Sequence, residues 1–319
     1  DENHIHIISM AKVAIASAIE NTHLDPVCIL HIDPSVIEQA KPWAGGFVNW
    51  MQNAGVTVIR HTPLFTSKIK EAFDKGKDMD LNKYSPLYHD YYSLLGAYLR
   101  LDIPILGFVD KYVLYSNIDV FFVSDVNLSD FPHKPTHLMI GYESMELPQF
   151  GNAGVTLYNV DGMRRTYKEF IALAFDDKYI QNGLYYGTPQ GNQGPIDGII
   201  SIMYGSDSNS NPNPSQSHIR DLVSPEIFNW RPYWSIPKGH KTSIIYFQGS
   251  ISEIMTQVHA THSHSYTRSE GDAHLYKGVC SSCDTPDITE SCTLWYRKWS
   301  QLHDRIQNGF TPKYVGGRV

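Results

Sequence analysis

Apolar and polar positions along the chain fall into short blocks, alternating between strand and helix patterns. Residues 4–10 alternate and then run apolar, which predicts a first short strand. Residues 11–20 (AKVAIASAIE) carry apolar side chains at helical spacing. Residues 27–33 (VCILHID) predict a second strand, buried and ending in His31 and Asp33. Residues 35–53 predict a helix interrupted at Pro-Trp-Ala-Gly-Gly and closed by Gly55, and 56–60 a third strand. A βαβαβ rhythm with β-branched, two-sided strands predicts parallel strands covered by helices.

The pattern continues with helices at 65–75 and 88–101, the second aromatic (YHDYYSLLGAYLRL) and ended by Pro104. Residues 111–123, KYVLYSNIDVFFV, form the most informative block. They predict one strand buried on both faces and interrupted by Ser116-Asn117-Ile118-Asp119. Desolvating a lone carboxylate is costly, so Asp119 is best explained if the strand ends at a ligand crevice. A strand-end Asp capping a turn is the alternative. Further strands are expected at 136–142 and 151–160, and helices at 161–175, 196–204 and 294–306. The segments 228–234 and 244–249 return to the core, while 206–217 (SDSNSNPNPSQS) is of low complexity and reads as a loop.

Composition narrows the partners. A 319-residue chain with formal net charge -7 and no basic run speaks against a nucleic-acid backbone as ligand. No apolar stretch reaches the roughly 20 residues that span a bilayer. The chain starts at Asp1, which suggests a trimmed protein whose leader or membrane anchor would lie upstream. Cys280, Cys283 and Cys292 cluster while Cys28 stands apart. Two readings stand: a disulfide in an oxidising compartment, or zinc with a fourth ligand from His259, His262, His264 or His274. The sequon Asn127-Leu128-Ser129 agrees with a secretory setting, with the Golgi lumen as the expected location.

The half-domain has no Gly-x-Gly-x-x-Gly and no P-loop, yet such α/β folds bind nucleotides at the carboxyl ends of their strands. Arg100, near a helix end, either neutralises that end or reaches into the crevice to clamp phosphate. Gly151 and Gly154 flank Asn152 and Ala153, where backbone can come close to something rigid. A hydrolase would need two opposed carboxylates across a cleft. Asp33, Glu143, Glu146 and Asp197 offer no pair in such a context.

Four blocks in order, over residues 4–250, resemble glycosyltransferase family 8 of the GT-A fold group: YLRLDIPILGFVDKYVLYSNIDVFF, GNAGVTLYNVDGM, GNQGPIDGIISIMYG and IIYFQG. The resemblance implies an α/β fold, a Rossmann-like mixed sheet flanked by helices, over 1–255. It leaves 256–319 as a C-terminal appendage with the Cys and His residues and the last helix. It implies a retaining transferase moving sugar from a nucleotide sugar, a UDP-sugar, to a glycan or glycoprotein acceptor.

By that resemblance Asp119, Asn117 and Tyr246 hold Mn²⁺ or Mg²⁺, and Arg100 contacts the nucleotide. Asn152, Ala153 and Gly154 approach the donor sugar, and Gly249 closes the nucleotide-binding segment. Asn192 and Gln193 lie by the anomeric carbon, with Gln193 stabilising positive charge on the sugar. The sequence departs from the family where Asn117 replaces an Asp, Tyr246 a His, and Asn192 and Gly194 two carboxylates. These changes predict a weaker or absent metal, and they keep a catalytically silent sugar- or nucleotide-binding module as the alternative.

Overall fold

A computed structural model of the protein describes residues 2–31, 42–78, 91–144, 147–176, 180–181, 184–185, 200, 220–223, 228–230, 241–247 and 286–314. The chain opens not with a strand but with helix α1, Glu2–Asn21. The apolar run at 4–10 is continuous with the helix formers after it. No Gly or Pro intervenes before Pro26, so nothing stops one helix from running through both. Val13 and Ala16 are fully buried on its inner face.

Strand β1 (Val27–His31), helix α2 (Pro42–Asn53) and strand β2 (Thr57–His61) form a right-sized crossover unit. The two strands pair in parallel, from Val27 beside Thr57 to His31 beside His61. Pro42 opens α2, where its missing N–H costs nothing, and Gly55 closes it at φ 83°. Cys28 is a free thiol on β1, packed beside Met51 and Val56, and burial pushes its pKa up to about 11. At pH 8 it stays protonated, so alkylation by iodoacetamide should be about 100-fold slower in the folded chain than in urea. Peptide mass spectrometry at Cys28 reads this; equal rates would contradict the burial.

Helix α3 (Thr66–Asp78) and helix α4 (Tyr91–Tyr98) follow, and α4 tightens into a 3₁₀ turn, Leu99–Ile105. Pro104, expected to end the helix, instead sits inside that turn. Its ring would clash with the carbonyl four residues back, that of Arg100, so α-helical winding gives way to the tighter form. Leu94, Leu95 and Tyr98 are buried in a core shared with Leu138, Ile140 and Phe170.

The segment 111–123 is two strands rather than one. Strand β3 (Tyr112–Ser116) is only half-buried and pairs antiparallel with residues 155–159, while strand β4 (Val120–Phe122) is fully buried and pairs antiparallel with residues 244–246. The polar break at Asn117–Asp119 is where the chain leaves one sheet for the other. Strands β5 (Leu138–Ser144) and β6 (Leu147–Asn159) complete the antiparallel part of a four-stranded sheet in which β6 lies between β3 and β5. Short pairs β7 (Ile180–Gln181) and β8 (Leu184–Tyr185) stand apart, and β9 (Arg220–Val223) joins β5 in parallel. Among the described strands β1–β2 and β5–β9 pair in parallel and the other pairs are antiparallel, so the fold is mixed α/β; the parallel β-α-β unit expected of the first third is present, without its predicted first strand.

Helix α5 (Val160–Ala174) is capped by Asn159, whose side chain accepts from Gly162 N–H at 3.1 Å. Strand β10 (Ile244–Tyr246) is buried throughout. Helix α6 (Pro286–Gln307) places Trp295, Trp299, Leu302 and Ile306 in one apolar cluster with Val13, Phe121 and Ile245. The last helix therefore shares a core with β4 and β10. The expected boundary near 255, Cys280, Cys283, the nearby histidines and nearly all of the 196–204 helix lie outside the described residues. So does the side chain of Cys292. Among the described residues no helix is long and apolar enough to cross a membrane.

Candidate functional site

Arg100 is the centre of the arrangement. The 3₁₀ winding turns it inward, where it is 9% exposed and lies 4.5 Å over the Tyr115 ring. Its Nε donates to Ala97 O at 3.0 Å, which neutralises the end of α4. Its Nη1 donates to Ala153 O at 2.9 Å, and Nη2 to Asn117 Oδ1 at 3.0 Å. One planar fork thus ties a helix end, strand β6 and the β3–β4 junction together.

Asn117 is held from every side. Its backbone N–H donates to Gly154 O at 2.7 Å. Its Oδ1 accepts from Tyr115 Oη at 2.9 Å as well as from Arg100, and its Nδ2 donates to Tyr246 Oη at 3.1 Å. Two donors meeting at Oδ1 fix the orientation of the amide. Two residues on, Asp119 is half-buried with Oδ1 out of reach of solvent. Its carbonyl accepts from Phe247 N–H at 2.8 Å, next to Tyr246. Ile118, between them, is 39% exposed, so the outer face of the junction is apolar.

Gly154 is required by close approach. A Cβ there would stand 2.6 Å from Tyr246 Cζ and 2.8 Å from Asn152 Oδ1, which itself accepts from Gly154 N–H at 2.8 Å. Gly154→Ala should cost about 2 kcal/mol through overpacking. Combined with Tyr246→Ala the added cost should shrink by about 1 kcal/mol, as urea unfolding of the four proteins would show. Additive costs would mean the two do not touch.

A second notch lies beside the first. Gly141 pairs with Asn152 just past a register shift that leaves residues 153–155 of β6 without partners on β5, and a Cβ on Gly141 would stand 2.9 Å from Asn229 Cβ. Asn229 is fully buried. Its neighbour Trp230 bridges Ile245, and Tyr246 N–H donates to Trp230 O at 2.8 Å. Asn229 and Tyr246 thus insert, side by side, into two openings that glycines leave in the sheet.

The structure therefore gathers Arg100, Asn117, Asn152, Ala153, Gly154 and Tyr246 into one network, with Asp119 at its edge. Asn192, Gln193 and Gly249 lie outside the described residues. Sequence reasoning missed Tyr115 and Asn229. Tyr115 shares a face with Asn117 by strand alternation, and Asn229 is a polar residue in an aromatic run, which were the available signals.

It also missed the pins of the 3₁₀ turn. Asp102 is fully buried; His61 Nε2 lies 2.5 Å from its Oδ2, and Tyr167 Oη donates to its Oδ1. Burial, with the bond to and charge of Asp102, pushes the Tyr167 phenol above its ordinary range, so it remains a donor. Arg164 Nε donates to Pro104 O at 3.0 Å and holds the far end of the turn. Among the described residues no three His, Cys, Asp or Glu side chains gather as a metal site would require.

No family model matches the chain, and no curated protein matches it. Several solved structures of glycosyltransferases are similar to it. Apo mouse xyloside xylosyltransferase 1 is 15% identical with a TM-score of 0.41, over 77% of this chain and 94% of that one. The apo form of the Streptococcus pneumoniae glycosyltransferase GlyE is 14% identical with a TM-score of 0.45, over 93% of this chain and 61% of that one. An active-site mutant of LgtC is 14% identical with a TM-score of 0.43, over 86% of this chain and 96% of that one.

Proposed function

We propose that the protein is a glycosyltransferase that takes a sugar from a UDP-sugar and passes it, with retained configuration, to a glycan or glycoprotein acceptor. The observation that carries the reading is the convergence on one strand junction. Arg100 binds both the Ala153 carbonyl and the Asn117 amide, and Tyr246 closes on Asn117 from the other sheet. Three of the four blocks singled out for their family likeness, far apart in sequence, supply these groups and meet at one place. A fixed cation behind close-packed backbone suits an anionic diphosphate.

One observation favours the silent-module reading as a second possibility. Asn117 and Tyr246, two groups expected to face the ligand, bond to each other instead. The test is incubation of the full chain with a panel of UDP-sugars, with released UDP and free sugar followed by chromatography. Donor hydrolysis or transfer supports the enzyme. Saturable UDP-sugar binding without any turnover supports the silent module, and absence of both overturns the two readings together.

A further inference from the structure

We propose that this site receives the donor diphosphate without a divalent cation, the fixed guanidinium of Arg100 supplying the positive charge. The inference rests on the nucleotide-sugar reading above.

A hard dication such as Mn²⁺ or Mg²⁺ takes about six oxygen ligands and is anchored by one or two carboxylates. Three residues stand in line for that role here: Asn117, Asp119 and Tyr246. Asn117 has a single oxygen to offer, and it already accepts two hydrogen bonds, from Arg100 Nη2 at 3.0 Å and Tyr115 Oη at 2.9 Å. A carbonyl-type oxygen has two lone pairs, so none is left to point at a metal. Turning the amide over would aim its NH₂ group at both donors and break the Nδ2 bond to Tyr246 as well.

Any cation brought to Asn117 Oδ1 would also stand against a guanidinium that is 9% exposed and poorly screened. Tyr246 Oη is a neutral phenol oxygen already accepting from Asn117 at 3.1 Å. Of the three, Asp119 alone brings a negative charge to the site, and no cluster of three metal-type ligands gathers among the described residues. The charge that a dication would bring is instead built in. Arg100 is clamped by three hydrogen bonds and a ring face, directly behind Asn117 and the Ala153 carbonyl. Such a charge needs no reorganisation when an anion arrives, and it acts through its field even where it makes no contact.

Calorimetric titration of UDP into the full chain decides the matter, once in EDTA, once with Mn²⁺, at matched ionic strength. A third titration uses Mn²⁺ alone. The expected result is a UDP Kd equal within about twofold in both buffers, and no heat from Mn²⁺ alone below millimolar. A tenfold or greater loss of UDP affinity in EDTA, or binding of Mn²⁺ by itself, overturns the inference and leaves the nucleotide-sugar reading standing. Failure of UDP to bind in either buffer removes that reading, and the inference falls with it.

Discussion

Arg100→Ala is expected to cost about 4 kcal/mol of folding stability and to weaken UDP binding at least tenfold. The side chain donates to Ala97 O, Ala153 O and Asn117 Oδ1 from a buried position, and hydrogen bonds from charged groups are the stronger kind. Alanine strands those acceptors, removes the packing over Tyr115, and opens a cavity where the β3–β4 junction meets β6. Lysine cannot reproduce the planar fork, so Arg100→Lys should recover less than half of the loss. Urea unfolding and a UDP titration on each variant measure the two effects. A stable Arg100→Ala protein would mean the network is incidental to the fold. Wild-type UDP affinity in that protein would mean its charge is incidental to the site.

Asp102→Ala should be about as damaging, at roughly 3–5 kcal/mol, because removing one member of a buried hydrogen-bonded group orphans the others. Tyr167 Oη donates a hydrogen bond to one oxygen of this fully buried side chain, and His61 Nε2 lies 2.5 Å from the other. Asp102→Asn keeps an oxygen for Tyr167, and His61 can change tautomer to accept from the new NH₂ group, so its cost should be smaller, about 1–2 kcal/mol. Asp102 lies two residues from Arg100 on the same 3₁₀ turn, and Arg164 fixes the turn at Pro104. Loosening this pin should therefore raise the UDP Kd in Asp102→Asn even where the protein remains folded. The stability arm is read from urea midpoints and the binding arm by calorimetry. Unchanged UDP affinity in a destabilised Asp102→Asn would confine Asp102 to the fold.

Particular residues show what the sequence made legible. Helix α5 could be read in advance from Asp161 at its start and the aromatic face behind it, of which Phe170 is buried together with Met163 and Ala174. The strand near 138 was equally plain from its run of apolar residues. The run at 4–10 was not, since a short apolar stretch suits a helix as well as a strand, and it is the unbroken continuation into the helix formers at 11–20 that decides it. The 111–123 block shows a different limit. Its composition announces burial, but the change of sheet at Asn117–Asp119 depends on β6 and β10, which arrive from elsewhere in the chain.

The site followed the same rule. Asn117 and Asp119 stood out as polar groups in an apolar run, and Arg100 by its place beside a helix end. Asp102 gives the same signal within LRLDIPIL, yet its partners His61 and Tyr167 lie 41 and 65 residues away, and no local pattern links the three. Tyr246 was visible only through family likeness, and its contact with Asn117 bridges 129 residues.

The most direct test of the account is a crystal of the full chain soaked with UDP at a saturating concentration in EDTA. The diphosphate is expected against the Asn117–Asp119 junction and the backbone of Gly154, with Arg100 still bonded to Asn117 and Ala153. Nucleotide density elsewhere on the molecule, or an undisturbed network with no nucleotide near it, would contradict the claim that this junction is the donor site.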